Sequence, residues 1–140
     1  MILKFKRTQF FMKTKTIFYW ILKIMAALIM FQTLYFKFSA HPESVHLFSE
    51  IGIEPWGRIG TGVLELIACF FILSEKLEWL GAIMGVGLMA GAVLSHLFFL
   101  GIEVNNDGGN LFIMAVLVLI ASFIILLKNK NTVLGKLKMR

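Results

Sequence analysis

An all-α integral membrane protein, built as a four-helix bundle, is the fold class that the sequence predicts. Hydrophobic residues make up 59% of the 140 residues and charged residues only 16%, whereas soluble domains carry about 25% charged residues. Four apolar runs are each about long enough to cross a hydrocarbon core. The chain therefore has too little polar sequence to cover a water-facing globule.

The net charge of +6 is placed at the two termini, outside the apolar runs. This placement is typical of residues that set membrane topology and contact anionic lipid, so no nucleic-acid partner is expected. The positive-inside rule predicts an N-in, C-in orientation, with residues 1–15 and 128–140 as basic cytoplasmic segments. Their basic residues are Lys4, Lys6, Arg7, Lys13 and Lys15, and Lys128, Lys130, Lys136, Lys138 and Arg140.

The first predicted span covers about residues 16–36 and is roughly 30 Å long. It is about twice the length of a signal-peptide core, which favours a retained helix. Lys23 interrupts it about 10 Å from the basic end. We expect this side chain to extend towards the headgroups, in preference to a buried ion pair.

The segment 37–55 is too polar and too short to span, and it predicts a short amphipathic helix on the membrane surface. Pro42 suits the first helical position and Gly52 the residue just beyond the end. His41 and His46 are five residues apart and do not share a helical face well, so no metal site is expected.

Three further spans are predicted at about 57–73, 79–100 and 111–127. Glu54 is expected to cap the second span, with Pro55 in its first turn. Trp56 and Trp79 suit the membrane interface at the starts of the second and third spans.

An acidic residue, Glu65, lies within the second span, about 12 Å from its start. It belongs to a helical stripe with Arg58, Thr61, Gly62 and Cys69, and such a stripe should face protein or water rather than lipid. Hydrocarbon favours the neutral acid unless a cation lies close. Glu65 is thus either a hydrogen bond that fixes helix packing or a functional group, and the sequence favours neither.

The third span is rich in glycine and carries His96 near its predicted outer end. Two small-xxx-small patterns predict close helix packing at Gly81, Gly85, Gly87 and Gly91. His96 falls on the same winding stripe as Gly81 and Gly85. Glu65 and His96 should both lie in the outer half, where a pair could relay a proton or bind a quinone head group, or form an inert hydrogen bond.

Motifs of self-sufficient enzymes are absent from the sequence. It contains no C-x-x-C, H-E-x-x-H, P-loop or dinucleotide fingerprint. The single cysteine, Cys69, cannot form an intramolecular disulfide. Whether the chain has any catalytic turnover therefore stays open, and no intrinsic cofactor is predicted.

Several segments, taken in order, resemble the DoxX-like family of small four-helix bacterial membrane proteins. They are Lys37-Phe-Ser-Ala-His-Pro, Glu50-Ile-Gly-Ile-Glu-Pro-Trp-Gly-Arg, Gly62-Val-Leu-Glu-Leu, Ser95-His96, Gly101-Ile-Glu-Val and Asp107-Gly-Gly. The resemblance covers about residues 21–127. It implies a bacterial inner-membrane bundle, and it suggests Glu65, His96, Arg58 and Lys37 as site residues, beside Thr61 from the stripe. Some relatives belong to quinone-linked redox complexes; thiol-linked relatives use cysteine pairs, which this chain lacks.

Two functions are therefore expected as alternatives. One is an accessory subunit of a quinone-linked membrane redox complex, with a polar pocket in the outer half. The other is a non-enzymatic structural or chaperone-like protein that binds a partner through its third helix. The bilayer, a membrane oxidoreductase and further copies of the chain are the expected partners; a small transporter is a weaker third option.

Overall fold

The computed structural model describes residues 1–139, which form six α-helices and one π-helical segment and contain no strand. Arg140 of the predicted basic tail lies outside the described residues. The helices are α1 Ile2–Phe38, α2 Pro42–Glu50, α3 Trp56–Leu73, α4 Glu78–Ser95, α5 Asn110–Lys128 and α6 Lys130–Lys138, and the π-helical segment His96–Leu100 continues α4.

Four of these helices are long and apolar enough to cross a membrane: α1, α3, α4 with its π-helical continuation, and α5. Large apolar side chains cover their outer faces, for example Phe70, Phe98 and Ile120, each more than half exposed. A soluble surface would not present so many, because water penalises each of them. The four candidate spans indicate a multi-pass membrane protein.

The four long helices form a ring in which α1 and α4 each pack against both α3 and α5. Small side chains fill the centre and let the helices approach closely. The buried residues of this core include Ala26, Ala27, Met30, Ala68, Ile72, Ala82, Ala115, Val118, Ala121 and Ile125.

The bundle has two distinct ends. The loop end carries α2 and the connection 101–109; the turn end carries the turn 74–77 and the junction of α5 with α6. At the loop end, α2 packs on α1, α3 and the π-helical segment. As predicted, Pro42 occupies its first turn and Gly52 adopts a left-handed conformation (φ +79°) just beyond it.

Two local predictions were wrong. The Glu54 side chain does not cap α3 but pairs with Arg58 one turn later. Lys23 does not extend to a headgroup region: it is 1% exposed, and its Nζ lies 2.7 Å from Oε2 of Glu78. The carboxylate at the start of α4 reaches Lys23 across the turn end of the bundle, and the paired charges avoid an isolated buried ammonium.

Helix α1 also begins earlier than the span predicted at 16–36. Its helical backbone runs back to Ile2, and residues 1–18 are all exposed. The basic segment is therefore a helical extension of the first span rather than a separate element.

Candidate functional site

A cavity of about 690 Å³ lies inside the loop end. Its walls come from α1, α2, α3, α4, the π-helical segment, the connection 101–109 and α5. Most of the wall is aliphatic or aromatic, for example Ile29, Leu88 and Met114. The volume falls in the range typical of small-molecule sites, which are mainly apolar with a few placed polar groups.

The main polar group of the cavity is an ion pair between Lys37 at the end of α1 and Glu65 in α3. The Lys37 ammonium lies 2.6 Å from Oε1 and 2.5 Å from Oε2 of Glu65. Thr33, one turn before Lys37, lies 2.9 Å from Oε2 of the same carboxylate. All three residues line the cavity, and Glu65 is only 4% exposed. The buried carboxylate of Glu65 thus has a cationic partner inside the bundle.

Arg58 and Thr61, both predicted for the pocket, have different places. Arg58 does not line the cavity: its Nε and Nη2 bind the carboxylate of Glu54, and its Nη1 donates to the backbone carbonyl of Lys37. It therefore ties α3 to the end of α1 and holds Lys37 in place. Thr61 does line the cavity, with its hydroxyl bonded to the carbonyl of Arg58.

His96 lines the cavity from the π-helical segment and is 5% exposed. No hydrogen bond joins it to Glu65 within residues 1–139, so the predicted acid–histidine pair is not formed. Lys37 and Thr33 use the Glu65 oxygens instead, and Nδ1 of His96 lies 2.9 Å from the carbonyl oxygen of Gly101. The two residues share one cavity without direct contact.

The four glycines predicted to pack helices divide into two pairs. A Cβ added at Gly81 would lie 2.5 Å from the backbone nitrogen of Ile72, and one at Gly85 would collide with Ser122. Gly87 and Gly91 are exposed, and a Cβ there would meet nothing within 4 Å. Within residues 1–139, no helix packs against the second pair. Both line the cavity, where their lack of side chains leaves the α4 wall open.

The connection above the cavity is held by Asp107. Its Oδ1 accepts from the backbone N–H groups of Val104 and Gly109, and its Oδ2 from that of Leu111. Burial by itself would raise the pKa of the Asp107 carboxyl, but these three donors outweigh it and lower the pKa below 3.8. This stabilisation is present above about pH 4 and is lost as the pH falls through the lowered pKa.

A second polar cluster closes the turn end. Besides Lys23, the Glu78 carboxylate accepts from Nδ2 of Asn129 at 2.9 Å, and that amide lies 3.2 Å from the Tyr19 hydroxyl. The Lys23 ammonium also lies 4.2 Å from the centre of the Trp20 ring. These contacts join α1, α4 and α5. The Lys23 ammonium and the Asn129 amide both bind Glu78, so this cluster fastens the helices.

Several residues of the cavity were not predicted. Thr33 lies four residues before Lys37, and that spacing could have placed it beside the lysine. The amide of Gln32, in α1, lies 2.9 Å from Sδ of Met114. Ser44, in α2, gave no signal, because one serine on a short polar helix is ordinary.

No group of three or more His, Cys, Asp or Glu side chains within residues 1–139 is arranged to hold a metal ion. Comparison of the chain with protein-family models, with curated proteins and with solved structures finds no match.

Proposed function

We propose that this chain is a DoxX-like accessory subunit of a quinone-linked redox complex in a bacterial inner membrane, and that it binds the quinone in the loop-end cavity. The observation that carries the proposal is the cavity itself. Its 690 Å³ of mainly apolar space meets a buried Lys37–Glu65 ion pair. A quinone matches this combination, because its ring and tail are apolar and its carbonyl oxygens need donors.

The polar groups of the cavity favour a ligand with polar oxygens at one edge. The Lys37 ammonium contacts Glu65 and Thr33, and the hydroxyls of Thr33 and Thr61 line the same cavity from α1 and α3. A head group seated there would share the ammonium with Glu65. The aliphatic side of the cavity, from Ile29 to Leu88 and Met114, suits the isoprenoid tail.

Orientation forms part of the proposal. With both termini in the cytoplasm, the loop end faces the outside of the cell, and α2 lies on the outer membrane surface. The basic extension of α1 and the basic helix α6 then meet the anionic lipids of the inner leaflet.

Purification from the native membrane in a mild detergent, followed by mass spectrometry of everything that co-elutes, tests the proposal. The expected result is a lipid-soluble quinone and a membrane-associated oxidoreductase with the chain. Variants with a filled cavity, such as Ala92→Phe, should lose the quinone, whereas Ile83→Phe on the exposed side of the same helix should keep it. A ligand-free oligomer from wild-type membranes would overturn the redox assignment.

The second candidate is the non-enzymatic protein that binds a partner helix. The exposed Gly87 and Gly91 favour it, because their bare backbone would let another membrane helix pack closely. Replacing either glycine with leucine should then release the partner while Lys37 and Glu65 variants keep it. Unchanged co-purification of the partner in both leucine variants would eliminate this alternative.

A further inference from the structure

We infer that the cavity prefers a ligand with a hydroxyl group, and hence the reduced quinol over the oxidised quinone, because His96 presents a hydrogen-bond acceptor to it. This inference rests on the proposed function and specifies which redox form the site holds. It follows from how His96 and Gly101 are joined.

His96 and Gly101 are linked twice across the π-helical segment. The backbone N–H of Gly101 donates to the carbonyl of His96 at 2.8 Å, and Nδ1 of the His96 ring lies 2.9 Å from the carbonyl oxygen of Gly101. A carbonyl oxygen only accepts, so Nδ1 must carry the hydrogen. In the neutral ring the other nitrogen, Nε2, is then a bare acceptor.

The fold makes this tautomer hard to exchange. Gly101 has φ +80° and ψ 171°, a combination open essentially to glycine alone, and it directs its carbonyl at the ring. Phe112 packs against the imidazole edge-on at 5.7 Å between ring centres. Ring rotation would break the Nδ1 bond and leave the Gly101 carbonyl without this donor.

Nε2 of His96 has no hydrogen-bond partner among residues 1–139. Ser44, from the adjoining helix α2, is equally placed: it lines the cavity, is 4% exposed, and its hydroxyl makes no hydrogen bond in the described part of the chain. Helix α2 packs directly on the π-helical segment that carries His96. Nε2 of His96 and the Ser44 hydroxyl thus belong to two cavity-lining residues and have no hydrogen-bond partner within residues 1–139, so a ligand or water in the cavity can satisfy them.

The pair discriminates between oxidation states by hydrogen-bond direction. A hydroxyl can donate to Nε2 of His96, and its oxygen can accept from a donor of the cavity wall such as the Ser44 hydroxyl. A quinone carbonyl has no hydrogen, so it would place lone pairs against the lone pair of Nε2. Leaving that acceptor unpaired should lower the affinity about tenfold, which corresponds to about 1.4 kcal/mol.

The test compares three probes of nearly equal size on the full chain in nanodiscs, without oxygen. They are decylubiquinol, decylubiquinone and the dimethyl ether of decylubiquinol, and binding is the excess over protein-free nanodiscs. The quinol should bind about tenfold more tightly than the quinone or the ether. Dioctanoylglycerol, a lipid with a hydroxyl group, serves as a fourth probe. If it binds as tightly as the quinol does, the preference for a hydroxyl group stands, but the ligand is a lipid and not a quinol.

Outcomes separate this inference from the proposed function. Equal or tighter binding of the quinone overturns the inference and leaves quinone binding intact. If none of the probes binds, both fall. Nitrogen-15 NMR of histidine-labelled protein gives an independent check, because it must show His96 with a hydrogen on Nδ1 and a bare Nε2; the opposite tautomer contradicts the inference whatever binds.

Two variants test whether His96 causes the preference for quinol over quinone. His96→Phe keeps an aromatic ring against Phe112 but removes Nε2, so quinol and quinone should bind with equal affinity. The matched control is His46→Phe, on the exposed side of α2 and away from the cavity, which should keep the tenfold difference. Loss of the preference in both variants, or in neither, would contradict the assignment to His96.

Discussion

At the scale of single residues, the Lys37–Glu65 pair is the main polar group of the cavity. Both side chains are mostly shielded from solvent, and their partners within the described chain are each other and Thr33. A buried pair of this kind contributes little net stability, but removing one partner leaves an uncompensated charge. The pair is therefore more informative when it is replaced as a unit.

Replacing Lys37 alone with methionine should destabilise the protein by about 3–5 kcal/mol, because the Glu65 carboxylate loses its cation. The double variant Lys37→Met/Glu65→Leu should return close to wild-type stability, since neither charge remains. Unfolding with a denaturing detergent measures the stability of the single and the double variant. A double variant as unstable as the single one would show that the ion pair is not the cause. If the double variant folds, it should also have lost the quinone.

At the scale of helices, much of the fold was predictable and the pairing between helices was not. Apolar run length identified the four long helices, and Pro42 and Gly52 marked the short one between the first two. The stripe that joins Gly81 to His96 could be read from spacing, because helical periodicity fixes which residues share a face. The partner of Lys23 could not be predicted from the sequence, because the periodicity of one helix does not show which neighbouring helix a side chain faces.

The glycines of α4 test which residues of this helix pack against a neighbouring helix and which do not. Gly81→Ala should destabilise the protein by about 1–3 kcal/mol, because the new methyl group would meet the backbone of α3. Gly87→Ala should be neutral or stabilising by up to about 1 kcal/mol, since the methyl group meets nothing and alanine favours a helix. Thermal unfolding in detergent compares them. Equal losses would mean that both glycines pack against a helix.

At the scale of the whole molecule, the bundle is closed at one end and hollow at the other. The Lys23–Glu78–Asn129 contacts join three helices at the turn end, whereas the loop end encloses the cavity under α2. The sequence predicted polar residues for the second of these ends through Glu65, His96 and Lys37. It could not predict the empty space, because a cavity arises from how several helices diverge and not from any one of them.

The orientation proposed for the molecule predicts which end a membrane-impermeant reagent reaches. In a Cys69→Ser background, a cysteine at Asn106 in the loop-end connection should react with an impermeant maleimide in intact cells. One at Lys136 in α6 should react only after the membrane is opened. The reverse pattern would contradict the positive-inside argument and place the cavity on the cytoplasmic side.

Photo-crosslinking with a quinone that carries an azide on its ring tests the central claim, that the loop-end cavity holds a quinone, most directly. Peptide mass spectrometry should locate the label on cavity residues at the head-group edge, such as Thr33, Lys37 and Thr61, and excess unlabelled quinol should compete it away. Ala92→Phe should abolish the labelling and Ile83→Phe should not. Label spread over the lipid-facing surface, and equal in both variants, would contradict the account.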